Sequence, residues 1–503
     1  MNPALPRSPA GDYNPWMIAC MLSLAPFMEV LDSTIANVSL THIAGSLGAS
    51  QSESTWILTS YLVSNSIILP VSGWCMQVFG RKRFYLISVA LFIASSVLCA
   101  ASTTLSMMII ARVLQGIGGG GLAPAAQAML ADSFPVEKRG QVFALFGFTV
   151  IVAPATGPIL GGWLTDALSW HWIFLINLPI GLIALTLTAI FISEPALMIR
   201  ERRELLARGL NLDYFGLFLV AVGFGALQIF LDKYELDDGF SSPTIIALCA
   251  VFVVALSTLA VWEWQHPQPV MNFRLFKIPN FAICATVMTF IGFLFLSSTQ
   301  LLPQLAQTLL GYDSETAGLA LAFGGMATIC VMPIAGIVTG RFIPPRILMA
   351  LALIEIGLAM ISDSYLSPDI SFAGLSLARI IQVFAIPFIF IPISVSAYVG
   401  VPARNNGEAA ALMNQMRNIG GSIGISFVTA ELAWRTQFHH ARLAESISPY
   451  GSLHGMAVPE IARIVQQQAS FVSYLDVFRL IGVTALVIWP IVLFLKPPAQ
   501  RAA

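Results

Sequence analysis

Two carboxylates three residues apart, Glu29 and Asp32, stand inside an almost wholly apolar stretch, residues 15–40. On a helix that spacing puts both on one face, with Ser33 and Asn37 close by. A hydrophobic segment of this length can cross a bilayer. An Asp near the bilayer centre costs roughly 2.5–3.5 kcal/mol on insertion scales, and such acids are kept mainly where they face a cavity and act there. A helix-end acid reaching water is the bland alternative, and it suits Glu29 as well as a functional role does. Asp32 is followed by a further run of apolar or small residues, so it is the stronger candidate for proton coupling.

A base at matching depth is the natural companion. The first span runs outward and the fourth inward, and at 1.5 Å per residue Asp32 and Arg112 lie roughly 12 Å and 9 Å from the outer edge. An acid and a base at one depth can pair or compete through one polar network. The sequence leaves open whether these two spans touch. Arg112 bonding helix-end carbonyls is the alternative reading. Glu355 is a third acid in mid-span, on a helix expected at the periphery of its bundle.

Glycine and proline mark where helices must approach or bend. Residues 116–121, GIGGGG, formally match a dinucleotide-binding pattern but follow no strand and sit in a membrane span, so nucleotide binding is rejected. Gly116 and its neighbours instead allow close packing of helix backbones. In residues 153–162, APATGPILGG, Pro154 and Pro158 bend or loosen the fifth span, while Gly157, Gly161 and Gly162 permit tight packing. A bent, closely packed helix suits two bundles that rock against each other.

The whole chain has the composition of an integral membrane protein. Its 503 residues are 57% hydrophobic and only 10% charged, with a mean hydropathy of +0.81, whereas soluble domains carry about a quarter charged residues. A net charge of −1 and the lack of a basic tract exclude nucleic acid as a partner. The six cysteines are scattered singly and suggest neither a disulfide framework nor a metal site. The polar start, MNPALPRSPAGDYNP, has no cleavage pattern after it, so the first span is expected to remain in the membrane.

The spacing of apolar segments predicts an all-α fold of fourteen transmembrane helices. Loops on one side collect seventeen of the 25 basic residues, including Arg81 and Lys82, which puts both termini in the cytoplasm. An internal repeat divides the chain. Residues 111–115 read ARVLQ and residues 378–382 read ARIIQ, and the same offset of 267 carries Gly157 onto Gly424. The expected organisation is a six-helix bundle over residues 15–193, two inserted helices over 194–265, and a second six-helix bundle over 280–496. The offset carries Asp32 onto Thr299, so the acid is not duplicated and the halves are expected to be unequal. Residues 435–473 read as a long polar loop on the non-cytoplasmic side, with His439, His440 and His454. It is either a solvated loop or a docking surface. Two adjacent histidines without a third ligand make a poor metal site.

No catalytic constellation or Walker sequence is present, which argues against an enzyme and for an ion gradient as the energy source, without a cofactor. Apolar and aromatic side chains (Trp56, Phe148, Phe384, Phe388) interspersed with amides (Asn65, Gln300, Gln304, Asn414) would suit loosely specified hydrophobic or cationic ligands.

At these motifs the chain resembles the major facilitator superfamily, in particular its fourteen-helix drug:proton antiporters of the EmrB/QacA type. LDSTIANV (31–38) is similar to the first-helix motif, RVLQGIGGGG (112–121, including Gln115) to the fourth-helix motif, and PATGPILGG (154–162) to the fifth-helix antiporter motif. WHWIFLINLPIG (170–181) is similar to the sixth-helix signature, and LDKYELDDGF and HHARLAESISPY look closest to the EmrB branch. The resemblance implies proton-coupled multidrug efflux across the bacterial inner membrane by alternating access. It also implies a periplasmic adaptor protein and an outer-membrane channel as partners. A dedicated transporter of one metabolite, such as a siderophore, is the alternative on the same fold. One departure stands in the loop GWCMQVFGRK (73–82). Gly73, Gly80, Arg81 and Lys82 keep the family pattern, but Gln77 replaces its Asp, which puts the conformational latch of that loop in doubt.

Overall fold

The computed structural model describes residues 15–496 apart from 135, 193, 195, 208–212, 238, 340–341 and 446–456. Every named element is helical. The N-terminal part comprises α1 (Pro15–Val38), α2 (Leu40–Leu47), α3 (Gln51–Phe79), α4 (Arg81–Ala100), α5 (Leu105–Gly119), α6 (Leu122–Ser133), α7 (Val136–Ala167), α8 (Trp172–Leu175) and α9 (Asn177–Phe191). Then come α10 (Ala196–Ala207), α11 (Tyr214–Lys233) and α12 (Pro243–Gln265). The C-terminal part comprises α13 (Pro279–Thr308), α14 (Ser314–Val338), α15 (Pro345–Asp363), α16 (Phe372–Phe384), α17 (Pro387–Ser396), α18 (Asn406–Glu445) and α19 (Val458–Ile488).

Among the described residues, twelve helical segments are long and apolar enough to cross a membrane. The two remaining expected spans coincide with α7 and with the more polar α18. Three spans are built from two helices each, and local chemistry explains the breaks. The fourth breaks between α5 and α6 at Gly120–Gly121, and the twelfth breaks just before Pro387, which has no N–H to donate. Side-chain caps start several helices. Ser50 and Glu53 form a reciprocal capping box on α3. Asp313 accepts from the Thr316 N–H at 2.9 Å ahead of α14, which holds its carboxyl below the usual Asp range. The outward surface carries large apolar residues such as Ile110, Ile190, Val254, Leu351 and Val487, as a lipid-facing surface requires.

Helices pair both within each half of the chain and across the two halves. In the first bundle α1 packs on α7 and α9, and α5 on α3 and α4. In the second, α13 packs on α18, α15 on α19, and α14 on α16. The inserted α11 and α12 pair with each other, and α11 lies against α3. There its Asp232 accepts from Thr59, and Lys233 donates to Thr55 at 3.2 Å. The bundles meet through α7 with α14 and α3 with α18.

The segment 435–473 differs from the expected loop. Residues 435–445 continue α18 and residues 458–473 open α19, so most of it is helical. Its polar composition hid ion pairs that sustain the helices. Arg435 bonds Glu431 at 2.6 Å one turn earlier and reaches Asp476 of α19 at 2.8 Å. His439 also contacts Asp476 at 2.8 Å, so that histidine is tied to a carboxylate across the hairpin. His454 lies outside the described residues. Helix α10, on the segment rich in arginine, was not expected from the sequence.

Candidate functional site

Asp32 and Arg112 are in contact. Arg112 Nη1 donates to Asp32 Oδ2 at 2.8 Å, and both side chains are buried, with 1% and 0% of their surface exposed. Gln115, one turn along α5, donates through Nε2 to Asp32 Oδ1 at 2.9 Å and to Ser96 Oγ at 2.8 Å. Its own Oε1 accepts from Arg112 Nη1 at 2.7 Å. Asn177, at the start of α9, donates to the same Asp32 oxygen. Arg112 also donates through Nε to the Ile57 carbonyl at 3.1 Å, and its guanidinium lies over the Tyr61 ring at 4.5 Å. Two helices, α5 and α9, thus bond the carboxylate of α1, and α3 and α4 join the same network through Ile57 and Ser96.

The small residues make this convergence possible. A Cβ on Gly116 would strike Ser64 Oγ and sit 3.0 Å from the Asn65 nitrogen, so α5 can lie against α3 only without one. A Cβ on Gly157 would meet Thr34 in the same way, and one on Gly161 would lie 3.1 Å from Ile35, so both glycines seat α7 on α1. Gly162 has nothing within 4 Å and makes no close approach, contrary to expectation. Pro154 lies within a continuous α7, and the side chain of Pro158 lies outside the described residues.

Removing one partner of a buried ion pair strands the other, at a cost of about 3–5 kcal/mol. Yet the pair is not fully satisfied. Arg112 Nη2 and Asn177 Oδ1 are buried with no hydrogen-bond partner among the described residues. Polar capacity is therefore held in reserve around Asp32.

Glu29 occupies a different position one turn away. Asn65 Nδ2 donates to one of its oxygens at 3.0 Å, and the other has no described partner. Arg417 of α18 is within electrostatic reach, so Glu29 faces the opposite bundle while Asp32 is enclosed by its own. Glu355 lies half-buried on α15, apart from this network.

The pocket residues scatter. Asn65 joins Glu29, and Asn414 donates to Gln127 Oε1 at 2.7 Å, which makes it a link between bundles. Trp56 is 39% exposed and lies under Lys233 of the inserted α11, at 5.4 Å, because its face of α3 is the one that meets that helix. Phe384 and Phe388 pair at 6.3 Å, with Phe388 packed beside Ala144 and Ile391. Phe148 is exposed, and Gln300 and Gln304 are half-buried along α13.

The loop departure at Gln77 has a structural answer. Gln77 Nε2 donates to Glu408 of α18, whose other oxygen accepts from Asn272 at 2.7 Å and Asn405 at 2.8 Å. Arg81 pairs with Asp132 and donates to the Ala403 carbonyl at 3.1 Å, and Asp132 in turn accepts from Asn406 at 3.0 Å. Gly73 lets the Glu408 backbone approach, where an added Cβ would lie 2.8 Å from its Cα. Gly80 takes φ of +88°, a conformation that favours glycine, and Lys82 donates to the Ala189 carbonyl at 2.8 Å. The two bundles are therefore latched at their basic end, with an amide in place of the acid. Gln77→Asp should set a second carboxylate against Glu408 and weaken the latch. Spin labels at positions 138 and 346, in a cysteine-free background, should then show more of the longer inter-bundle distances. An unchanged distribution would remove Gln77 from the latch.

Sequence reasoning missed Asn177, Ser96, Glu408 and Asp132. Asn177 sits inside the quoted sixth-helix signature, and the others lie in helix interiors or at span ends where nothing local distinguishes them.

Comparison with known proteins identifies the family. The Major Facilitator Superfamily profile matches residues 22–425. The chain is 36% identical over 499 residues to the probable multidrug resistance protein EmrY of Escherichia coli K12, covering 96% of each chain. It is 37% identical to the multidrug export protein EmrB of the same strain, over 95% of this chain and 94% of that one. The solved structure of the proton:xylose symporter XylE superposes with a TM-score of 0.60 at 16% identity, covering 96% of each chain, a likeness of fold. A multi-pass helical chain of two repeated bundles, with this profile across most of its length, belongs to the Major Facilitator Superfamily.

Proposed function

We propose that this protein is a proton-coupled antiporter that exports hydrophobic, aromatic or cationic compounds across the bacterial inner membrane by alternating access. The observation that carries this reading is the enclosed carboxylate of Asp32, held by Arg112, Gln115 and Asn177 in one bundle and one turn from Glu29 at the seam between bundles. Protonating Asp32 removes the charge that Arg112 and the two amides hold in place, so the four helices around it are free to repack. A cationic substrate drawn toward Glu29 favours the deprotonated state of the same neighbourhood. Proton and substrate therefore exclude each other, which is the requirement for exchange. A membrane potential supplies about 2.3 kcal/mol per charge per 100 mV, near 50-fold accumulation, so even one proton suffices for useful export. The names of the similar proteins, multidrug export and multidrug resistance, support breadth of substrate.

Cells expressing the protein should extrude ethidium until a protonophore is added, and should resist several unrelated toxic compounds. Resistance to one compound alone would favour a dedicated metabolite transporter. Failure of purified protein to show counterflow of substrate against a preset gradient would point to a channel instead.

The extensions of α18 and α19 beyond the membrane-length segments supply the surface that a periplasmic adaptor would use, ahead of an outer-membrane channel. Shortening both extensions together is expected to abolish co-purification of the adaptor while sparing ethidium transport in proteoliposomes. Intact co-purification would assign the adaptor to another surface.

A further inference from the structure

The second bundle holds a buried polar network of its own. Arg379 of α16 donates through Nη1 to Ser298 Oγ and Gln382 Oε1, each at 3.2 Å, and through Nη2 to Thr299 Oγ1 at 2.8 Å. This repeats the first bundle by the 267-residue offset: Arg379 stands for Arg112, Gln382 for Gln115, and Thr299 for Asp32. Thr299 at the place of Asp32 leaves the acid unduplicated at that position, as the offset predicts. The same offset carries Ser96 onto Asp363, and Gln382 Nε2 donates to Asp363 just as Gln115 donates to Ser96. The second network has kept its acid and moved it from the first helix of the bundle to the third.

Three features separate Asp363 from an ordinary structural acid. It is only 4% exposed, yet among the described residues it has no ion pair, and Arg379 reaches it through Gln382. Arg379 is 4% exposed and its Nε has no described partner, so the network holds an unsatisfied donor. Asp363 is the last residue of α15, followed directly by Ser364 and the exposed Tyr365, whereas Thr299 and Arg379 line a cleft with Pro154 of the first bundle. The chain Asp363–Gln382–Arg379–Thr299 thus runs from the outer rim to the seam between bundles. Arg379 is the charged group facing Asp363. On α19, which packs against α15, Arg479 lies over the Tyr365 ring at 5.6 Å.

We propose that Asp363 is a second proton-carrying site, linked through Gln382 and Arg379 to the inter-bundle cleft, so that each exchange cycle moves two protons. With the outer side open, a carboxylate oxygen of Asp363 takes a proton from water at the rim. With the inner side open, that O–H bond breaks and the proton passes to water admitted through the inter-bundle cleft beside Arg379 and Thr299, which opens to the cytoplasm in that state. Gln382 keeps its bond to the carboxyl in both states, and what changes is the charge that Arg379 feels. A burial without a direct cation suits a group that must give up its charge in every cycle. This inference rests on the antiport reading above, and the test separates their failures.

The test uses purified full-length protein in liposomes, with ethidium as the probe and the membrane potential clamped at zero. At each imposed pH difference, the ethidium ratio that stops net flux is measured. Each exchanged proton contributes about tenfold per pH unit, since one unit is a tenfold change in proton activity. Wild type should balance at about 100-fold per unit, Asp363→Asn at about tenfold, and Asp363→Glu near wild type. A wild type that balances at tenfold, or an Asp363→Asn that keeps the wild-type ratio, overturns the second site. If Asp363→Asn does not insert, ethidium added to Asp32→Asn in unbuffered detergent should still release about one proton per protein. No release there would likewise overturn the second site. A wild-type balance ratio in Asp32→Asn would instead count against the role of Asp32.

Discussion

Asp32→Asn is expected to cut uphill ethidium efflux to what the single proton at Asp363 can drive, about tenfold per pH unit, while leaving substrate counterflow measurable. The reason lies in the charge balance around Arg112. Asparagine can accept a hydrogen bond but cannot carry a proton on and off, so the proton moved at this site is lost outright. It also leaves Arg112, which is fully buried, without its anion, at about 3–5 kcal/mol. Loss of efflux alone would therefore not distinguish coupling from stability. Counterflow makes the distinction, because it needs binding and alternating access but no net proton movement. Asp32→Glu, which restores a titratable group, should recover part of the uphill flux. Unchanged uphill efflux in Asp32→Asn would remove Asp32 from the mechanism, and loss of both activities would reduce it to a structural ion pair.

Gly420→Ala should be the most damaging single-methyl change outside the polar networks. A Cβ there would run into the Thr289 carbonyl of α13, with the Thr289 Cα only 2.9 Å away. Across the same contact, a Cβ on Gly292 would strike the Arg417 carbonyl. Both obstacles are backbone, so no side chain can turn aside, and the helices must separate. Overpacking of this kind costs about 1–3 kcal/mol or more. The melting temperature of detergent-purified protein, followed by tryptophan fluorescence, should fall clearly for Gly420→Ala and for Gly292→Ala. Gly162→Ala is the control: with nothing within 4 Å it should stay within about 0.5 kcal/mol of wild type. Equal melting temperatures for Gly420→Ala and Gly162→Ala would mean that α13 and α18 are packed less closely than described.

Much of this was legible in the sequence because membranes restrict what a sequence can mean. Segment length and basic-residue bias locate the spans, and depth along two antiparallel spans brings Asp32 and Arg112 to one level before any contact is known. The repeat was legible in ARVLQ and ARIIQ. Asp363 was not, because the offset was followed from the acid rather than from Ser96, whose hydroxyl gives no sign of its place in the network. Trp56 illustrates a second limit. Helical periodicity shows that α3 has several usable faces, but only packing decides which one meets the inserted α11. The hairpin of α18 and α19 was misread as a loop because polar composition reports solvent contact, not backbone conformation. Its helices persist through the pairing of Arg435 with Glu431 and Asp476.

The place of α11 has a consequence for how the two bundles can move against each other. It is bonded to the first bundle through Asp232 and Thr59, and its Gln228 accepts from Ser422 of the second bundle at 3.1 Å. One helix thus sheathes the crevice between α3 and α18. At the opposite contact, where α7 meets α14, α17 of the second bundle packs against both helices. The bundles cannot part along the α3–α18 flank without breaking the Ser422–Gln228 bond or pulling α11 away from Thr59.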